Sequence, residues 1–560
     1  MSAGSGSVPR ERARVAVVGS GPAGVSAAAR LVDEGLEVEL FDYGTPPPAE
    51  LEALGAELRS AAPSAAALQQ LRGSAGAPRR ARDGWLRLLR QLAGREPLLD
   101  LTHKTRLGSS YTSDGVERGI PLLPLGAGAP ASRSLARGGL SNVWGAACYP
   151  LAREDYAGWP LAPGALDPHY ARAARLLSLC ESQDALADVY PLQAPCAAEL
   201  PLNGAMQPLL AHWRSEARAL AQLGVAAGRA RLAVRAQASS EGHGCQACGL
   251  CLYGCPWDAI YRADWTLRAL ERRPGFRYRP GWLVTRFSER GDALALHALE
   301  RGQGAPQEFA ADALFLAAGT LSSLRIAASS LGRAGEPLRL LDNDLYLLPL
   351  LRLAGGRAGD AALCFSLNEL VLRFSVAGVP LHLQLYALSP AVLERAGLAL
   401  LPRSLQRAAQ RLRTRLLLGF LSLPGEHSAA ITARVRAEEP IAAIELRQER
   451  GAGSARLARA AARWLWRERR ALGFAPLCAP LRSTPSGNSG GHLVGGLGLS
   501  AAPAGLASDL EGRVGGTRRV FAVDGASFPA LPPQNSTYTI MANADRIAAR
   551  YAERRRRGAP

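Results

Sequence analysis

The chain has 560 residues, 48% of them hydrophobic and 20% charged, with a formal net charge of +18. That length exceeds what one packed core usefully holds, so two or three globular domains are expected, and disordered or fibrous classes are excluded. Lys104 is the only lysine, so the basic excess is scattered arginine, which argues against a dedicated nucleic-acid surface.

The first 14 residues are small and polar, without the apolar core and cleavage site of a signal peptide. Residues 15–18, VAVV, then read as a buried parallel strand. Gly19-Ser20-Gly21-Pro22-Ala23-Gly24 forms a G-x-G-x-x-G loop, VSAAARLVDEG reads as a helix, and LEVELFDYG reads as a second strand ending in Asp42. In such a loop Gly19 permits the tight turn, Gly21 lets backbone approach a pyrophosphate, and Gly24 lets helix pack on strand. The helix N-terminus offers unpaired N–H groups to phosphate. Asp42, 18 residues after Gly24, is spaced to accept hydrogen bonds from an adenosine ribose. Strand, loop, helix, strand and acid together predict a dinucleotide site, without separating FAD from NAD.

Residues 45–100 read as an Ala/Pro/Gly-rich insertion, partly helical. Further on stands SLARGGLSNVWGAACYP, residues 134–150. Residues 243–258 form a cysteine-rich segment in which Cys245, Cys248, Cys251 and Cys255 stand at C-x₂-C-x₂-C-x₃-C, followed by proline. This is the spacing of a bacterial iron–sulfur run, and all four thiolates would have to serve one cubic cluster, 4Fe–4S or 3Fe–4S. Zinc also takes four thiolates, usually from two separated C-x₂-C pairs, and a metal-free structural segment is the third reading. The other five cysteines are scattered, unlike a dense disulfide framework, so a reducing cytoplasm is the expected compartment.

DALFLAAGTLSSLRIAASS, residues 312–330, reads as strand, turn and helix. Between 341 and 479, LYLLPLLRL, LVLRFSVAG, PLHLQLYAL, AAITARVRA and AIELRQE read as sheet strands. RSLQRAAQRLRTRLL and GSARLARAAARWLWRERRAL read as amphipathic helices, arginine outward, with association to a membrane surface as the sharper alternative. No uncharged stretch of 18 apolar residues is present, so no membrane span is expected. GGHLVGGLG (490–498) precedes VFAVDGASFPALPPQNSTYTIMANADRIAARY (520–551), read as strand, turn, loop and helix. Arg554–Arg557 reads as a solvated tail or a polybasic docking patch.

Four of these segments, in order, resemble the glucose–methanol–choline (GMC) oxidoreductase family: the ADP-binding loop, the 134–150 segment, the 312–330 strand–turn–helix, and V-D-G-A-S-F-P with T-I-M-A at 523–529 and 539–542. The resemblance implies an α/β chain: a Rossmann-like FAD-binding domain with a discontinuous α+β substrate domain built on an antiparallel sheet. It implies an FAD domain from residues 1–150, 226–340 and 480–560, and a substrate domain from 151–225 and 341–479. FAD would touch Gly139, Ser141, Asn142 and Gly145 from the ring-wrapping segment, and Asp524 and Gly525 from the C-terminal one.

Members of the family oxidise an alcohol by hydride transfer to flavin N5, and the hydroxyl proton needs a base near neutral pKa. By resemblance His492 matches the family's first active-site histidine and Asn535 the second position, where the asparagine would hold the substrate oxygen. His-Pro and Asn-Pro are frequent in the family, whereas Leu493 and Ser536 follow here. A cluster beside the flavin would pass electrons singly to an external acceptor. A sugar, polyol or natural-product alcohol is the substrate class implied by family breadth. Two other classes compete: a lyase of the same fold with a non-redox flavin, and an electron-transfer protein whose cluster is the working part.

Overall fold

The computed structural model describes residues 14–60, 67, 106–107, 109, 111–114, 133–193, 198–291, 293–302, 306–355, 364–388, 415–437, 441–449, 452–482 and 492–558. Most of the 45–100 insertion and the bulk of the helix expected at 403–417 lie outside them; the last two residues of that expected helix, Leu416 and Leu417, stand in a strand.

Five strands form an all-parallel sheet in the order Val520–Ala522, Ala313–Leu316, Arg14–Val18, Glu37–Asp42, Phe276–Pro280. The run VAVV does not alternate because both faces of the sheet are covered. Val15 and Val17 bury with Leu31 and Ile547 under two helices, Pro22–Asp33 and Thr537–Arg556. Ala16 and Val18 bury on the other face with Leu324 and Leu340. Register pairs Val18 with both Phe41 and Leu316, and Leu316 with Ala522, so these strands end at one edge. In open α/β sheets that carboxyl edge is where ligands bind.

A second sheet of seven strands is antiparallel, ordered Phe474–Pro476, Leu345–Arg352, Leu416–Ser422, Val379–Ala387, Leu370–Val376, Ala226–Arg229, with Leu481–Arg482 also paired to Leu345–Arg352. Its alternation is regular. Leu381, Leu383 and Leu385 point into a core closed by the helix Ala452–Arg467, where Phe374 stacks on Trp464 at 4.9 Å. His382, Gln384 and Tyr386 therefore face the opposite side. A four-stranded sheet, Ala443–Glu449, Ala430–Arg436, Leu338–Leu341 and Val494–Gly495, and a three-stranded meander, Trp282–Arg290, Ala293–Glu300 and Pro306–Ala311, complete the described strands.

The chain crosses from the four-stranded to the seven-stranded sheet at Asp342-Asn343-Asp344, all three buried. Among the described residues no helix is long and apolar enough to cross a membrane. Cys180 is disulfide-bonded, and the expectation of a reducing cytoplasm draws no support from that.

Candidate active site

The glycine loop begins where the first strand ends. Gly19 holds φ +102°, and a Cβ on it would stand 2.4 Å from the Ala317 carbonyl oxygen at the end of the neighbouring strand. A Cβ on Gly24 would stand 1.9 Å from the Gly19 carbonyl oxygen, so only glycine lets the helix start this close to the turn. The position of a Cβ on Gly21 is open, and no side chain caps the helix that follows it. A helix N-terminus without a side-chain cap is what a phosphate cradle requires. Gly139 comes to the same place from the second segment: its Cβ would lie 3.5 Å from the Gly21 Cα.

Asp42 ends the second strand at the same edge. Burial raises its pKa to about 6, and it accepts hydrogen bonds from the Ser20 hydroxyl and, at 3.2 Å, from Tyr278. Ser20 also accepts from the Gly138 N–H at 2.9 Å, tying the glycine loop to the 138–145 segment. In that segment the side chains of Ser141 and Asn142 serve the loop itself. Ser141 donates to the Gly138 carbonyl at 2.6 Å and accepts from the Ala263 N–H, while Asn142 donates to the Arg137 and Gly139 carbonyls. Gly145 lines a cleft with Ser141, Asn142, Trp144, Cys251 and Cys255. Asp524 caps a short turn at 525–527 and accepts from the Gly319 N–H at 2.8 Å and the Ser323 hydroxyl at 2.6 Å; burial raises it to about 6. Gly525 is pressed against Thr320, whose hydroxyl would meet a Cβ at 2.6 Å. The uncapped helix N-terminus, the open Gly21 and the neighbouring acid fit a dinucleotide such as FAD, which Gly19–Gly24, Gly139 and Asp42 could hold.

His492 and Asn535 converge. Val494 and Gly495 pair antiparallel with Leu341 and Leu340, which brings His492 opposite Asn343. Asn343 donates through Nδ2 to the carbonyls of Leu423 at 2.7 Å and Pro532 at 3.0 Å, so its Oδ1 faces His492 Nδ1 at 2.9 Å. Nδ1 must therefore carry the proton, and Nε2 presents its lone pair. Asn535 Nδ2 donates to that Nε2 at 3.1 Å. The Thr320 hydroxyl donates to the Leu493 carbonyl at 2.7 Å, fixing this pair beside the carboxyl edge of the parallel sheet. Asp342 Oδ1 accepts from the backbone N–H of both His492 and Asn343, and burial raises its pKa to about 7.

The loop carrying Asn535 is held from the antiparallel sheet. Arg373, 4% exposed, binds Gln534 Oε1 at 2.9 Å and the carboxylates of Glu154 and Asp155 at 3.0 Å. Gln384 donates to Asn535 Oδ1 at 2.5 Å. Asn343, Gln384 and Arg373 were not legible as site residues from the sequence. The one available signal was the polar triplet DND set between two apolar runs.

The four clustered cysteines lie near enough to act on one another electrostatically, with Cys364 beside them. Cys245, Cys251 and Cys255 are half-buried against the core around Tyr149 and Tyr261, and Cys248 is exposed. Around them the Cys245 N–H donates to the Arg235 carbonyl, the N–H of Leu252, next to Cys251, to the Ser366 hydroxyl, and the Ala259 N–H to the Cys255 sulfur. Burial raises Cys251 to about 12 and also raises Cys245 and Cys255, so all three are thiols in the metal-free chain. Among the described residues no group of three or more His, Cys, Asp or Glu is disposed to hold a metal. The expected iron–sulfur cluster, and likewise zinc, draws no support from this arrangement.

Residues 443–544 match the family described as GMC oxidoreductase, over its C-terminal domain. The likeness to the GMC oxidoreductase family therefore lies in the C-terminal part of the chain. Among solved structures, pyridoxine 4-oxidase from Mesorbium loti aligns with it at a TM-score of 0.55 and 14% identity, covering 97% of this chain and 99% of that one; the likeness is one of fold. No curated protein sequence matches the chain. The family match supports a flavin-dependent oxidoreductase in the broad sense. The matched stretch contains both His492 and Asn535.

Proposed function

We propose that this chain oxidises an alcohol to a carbonyl compound, with FAD as cofactor and His492 as base. The single observation that carries the reading is the convergence of a proton-accepting imidazole nitrogen and an amide donor, 3.1 Å apart, beside the carboxyl edge of the parallel sheet. Bound FAD supplies the acceptor that takes a hydride, two electrons and one proton, from the carbinol carbon. The chain's residues handle the rest. A substrate hydroxyl entering between the two side chains would donate to His492 Nε2 and accept from Asn535 Nδ2. As the hydride leaves, Nε2 takes the hydroxyl proton, and the charge on the imidazolium is shared with Asn343 Oδ1. The amide of Asn535 stays on the oxygen as it becomes a carbonyl.

The division proposed from the family remains: residues 1–150, 226–340 and 480–560 for FAD, and 151–225 and 341–479 for substrate. Within it, the strand Ala226–Arg229 is hydrogen-bonded to Leu370–Val376 of the antiparallel sheet. No electron route through the cysteines enters the reading.

The face of that sheet offered to a substrate grades from polar to apolar. Arg373 stands opposite His382, and His382 opposite Ser422; one step on, Gln384 faces Phe420 and Tyr386 faces Leu418. Leu347, Leu418 and Phe420 form a buried apolar cluster with Tyr386 and Leu252 at its margin. This gradation suits an alcohol with an aromatic or aliphatic body better than a polyol. The test is anaerobic mixing of the FAD-loaded chain with benzyl alcohol, geraniol, pyridoxine, glucose and xylitol. Bleaching of the flavin absorbance by at least one is expected, earlier with the apolar alcohols. A flavin that none of them bleaches, in protein of full FAD content, would count against the alcohol reading.

A further inference from the structure

Gln384 lies in the strand Val379–Ala387, between Val371 and Phe420 on the neighbouring strands. Its side chain has three polar neighbours. Nε2 donates to Asn535 Oδ1 at 2.5 Å, Oε1 accepts from the Tyr386 hydroxyl at 3.0 Å, and His382 Nε2 lies 3.4 Å from Nε2. His382 is wholly buried and burial lowers its pKa to about 3, so it is a neutral imidazole. An amide nitrogen beside the Asn535 oxygen, with its own oxygen accepting from a phenol, has a preferred orientation. Were Gln384 to reverse, its oxygen would face Asn535 Oδ1, and relief would require Asn535 to reverse as well. Asn535 Oδ1 would then face His492 Nε2, and the donor meant for the substrate oxygen would be lost. The two amides are thus coupled.

We propose that Gln384 is a positioning residue: by holding Asn535 Oδ1 it turns the Asn535 Nδ2 donor towards His492 and towards the oxygen of a substrate bound between them. The proposal rests on the His492–Asn535 reading of the site. It makes the antiparallel sheet the element that decides which atom of Asn535 the base and the substrate meet.

Gln384→Glu tests it with little change of shape. The carboxylate can only accept, so Asn535 must reverse to donate to it, leaving Oδ1 against His492 Nε2. His492 would then lie between two acceptors, Asn343 Oδ1 and Asn535 Oδ1, and its doubly protonated form would gain. The charged and titratable groups around His492 are Asp342 on its backbone N–H, Asp344 beyond it, and His382 with Arg373 behind. The variant adds one carboxylate at position 384, whose charge alone also favours the imidazolium, so the double-variant comparison and the uncharged Gln384→Met separate charge from amide reversal.

The measurement is ¹⁵N spectroscopy of histidine-labelled, FAD-loaded full-length protein, with His492 assigned through His492→Gln. In the wild type at neutral pH, Nδ1 should be protonated and Nε2 bare. In Gln384→Glu, Nε2 should carry a proton, and the His492 pKa should rise by about one unit or more. Anaerobic flavin reduction by whichever of benzyl alcohol, pyridoxine and glucose reduces the wild type should slow about 10–100-fold, with partial recovery at higher pH. In an Asn535→Ala background the same change should cost less than about twofold, because the coupled partner is gone. Gln384→Met, of similar length and without a donor, should show the same loss of coupling should Gln384→Glu fold poorly. An unchanged His492 signal overturns the proposal, and so does an equal rate penalty in both backgrounds, which would mark general damage. Failure of the base reading would show separately, as undiminished flavin reduction in His492→Gln.

Discussion

His492 can take a proton at Nε2 only while Nδ1 holds one, and Asn343 is the residue that keeps it there. The Asn343 amide cannot turn without placing its nitrogen against the imidazole and its oxygen against the carbonyls of Leu423 and Pro532. Two substitutions separate the roles. His492→Gln removes the base and should lower the rate of flavin reduction by a panel alcohol about 10²–10⁴-fold with flavin content unchanged, read by anaerobic stopped-flow absorbance. Asn343→Leu should slow reduction too, but it also strands two buried carbonyls at a sheet crossover. A loss of about 1–3 kcal/mol in unfolding free energy is therefore expected from denaturant titration, and none of that size for His492→Gln. Equal destabilisation by both would mean that His492 is itself a structural residue.

At the scale of elements, the glycine loop and the two sheets meet through a few backbone approaches that tolerate no extra atom. Gly24→Ala would drive a methyl into the Gly19 carbonyl, and backbone cannot move aside as a side chain can. The variant is expected to be recovered largely without flavin, seen as a fall in absorbance near the flavin maximum per mole of protein. A full flavin complement in Gly24→Ala would argue that this turn does not hold the cofactor.

The loop was legible in the sequence because its chemistry is local: the turn, the helix start and the second strand lie within thirty residues, and φ, packing and spacing constrain one another. The strands at 345–352, 370–376 and 379–387 were legible for a similar reason, their runs being apolar and bounded by turn residues. The partners of His492 were not. They depend on a two-residue strand, Val494–Gly495, finding its register against Leu338–Leu341, some 150 residues earlier, and no local pattern encodes that pairing. The cysteine run shows the converse: its spacing is legible, but whether its sulfurs take the geometry of a metal site is a tertiary fact, and among the described residues no metal-holding group is formed.

At the scale of the whole molecule, the junction between parallel and antiparallel sheets contains carboxyls that burial works against. Asp42 and Asp524 lie at the carboxyl edge, with pKa values raised to about 6; Asp342 and Glu369, raised to about 7, border the antiparallel strands. Each is hydrogen-bonded, Glu369 for instance by the backbone and side chain of Asn203 at 2.6 and 2.7 Å, yet in each case desolvation is the largest influence. A folded-state pKa above the unfolded one means that the native chain binds more protons between the two values. Stability must then fall as pH rises through that window, from about pH 4 to about pH 7, and level off above it. His382 acts in the opposite sense, because its pKa is lowered to about 3 and the unfolded chain binds its proton first below about pH 6.5. Four raised acids against one lowered histidine leave a net excess of about two to two and a half protons on the native state near pH 5. The melting temperature of the FAD-loaded chain is therefore expected to decline between pH 5 and pH 7 and to change little from pH 7.5 to pH 8.5. Asp342→Asn keeps an oxygen for the N–H groups of His492 and Asn343 while removing the titration. It should stand above the wild type at pH 8, match it near pH 4.5, and flatten the slope between. A wild-type melting temperature that rises steadily from pH 5 to pH 7 would show that these carboxyls are solvated, and that the junction is open to water rather than closed around the site.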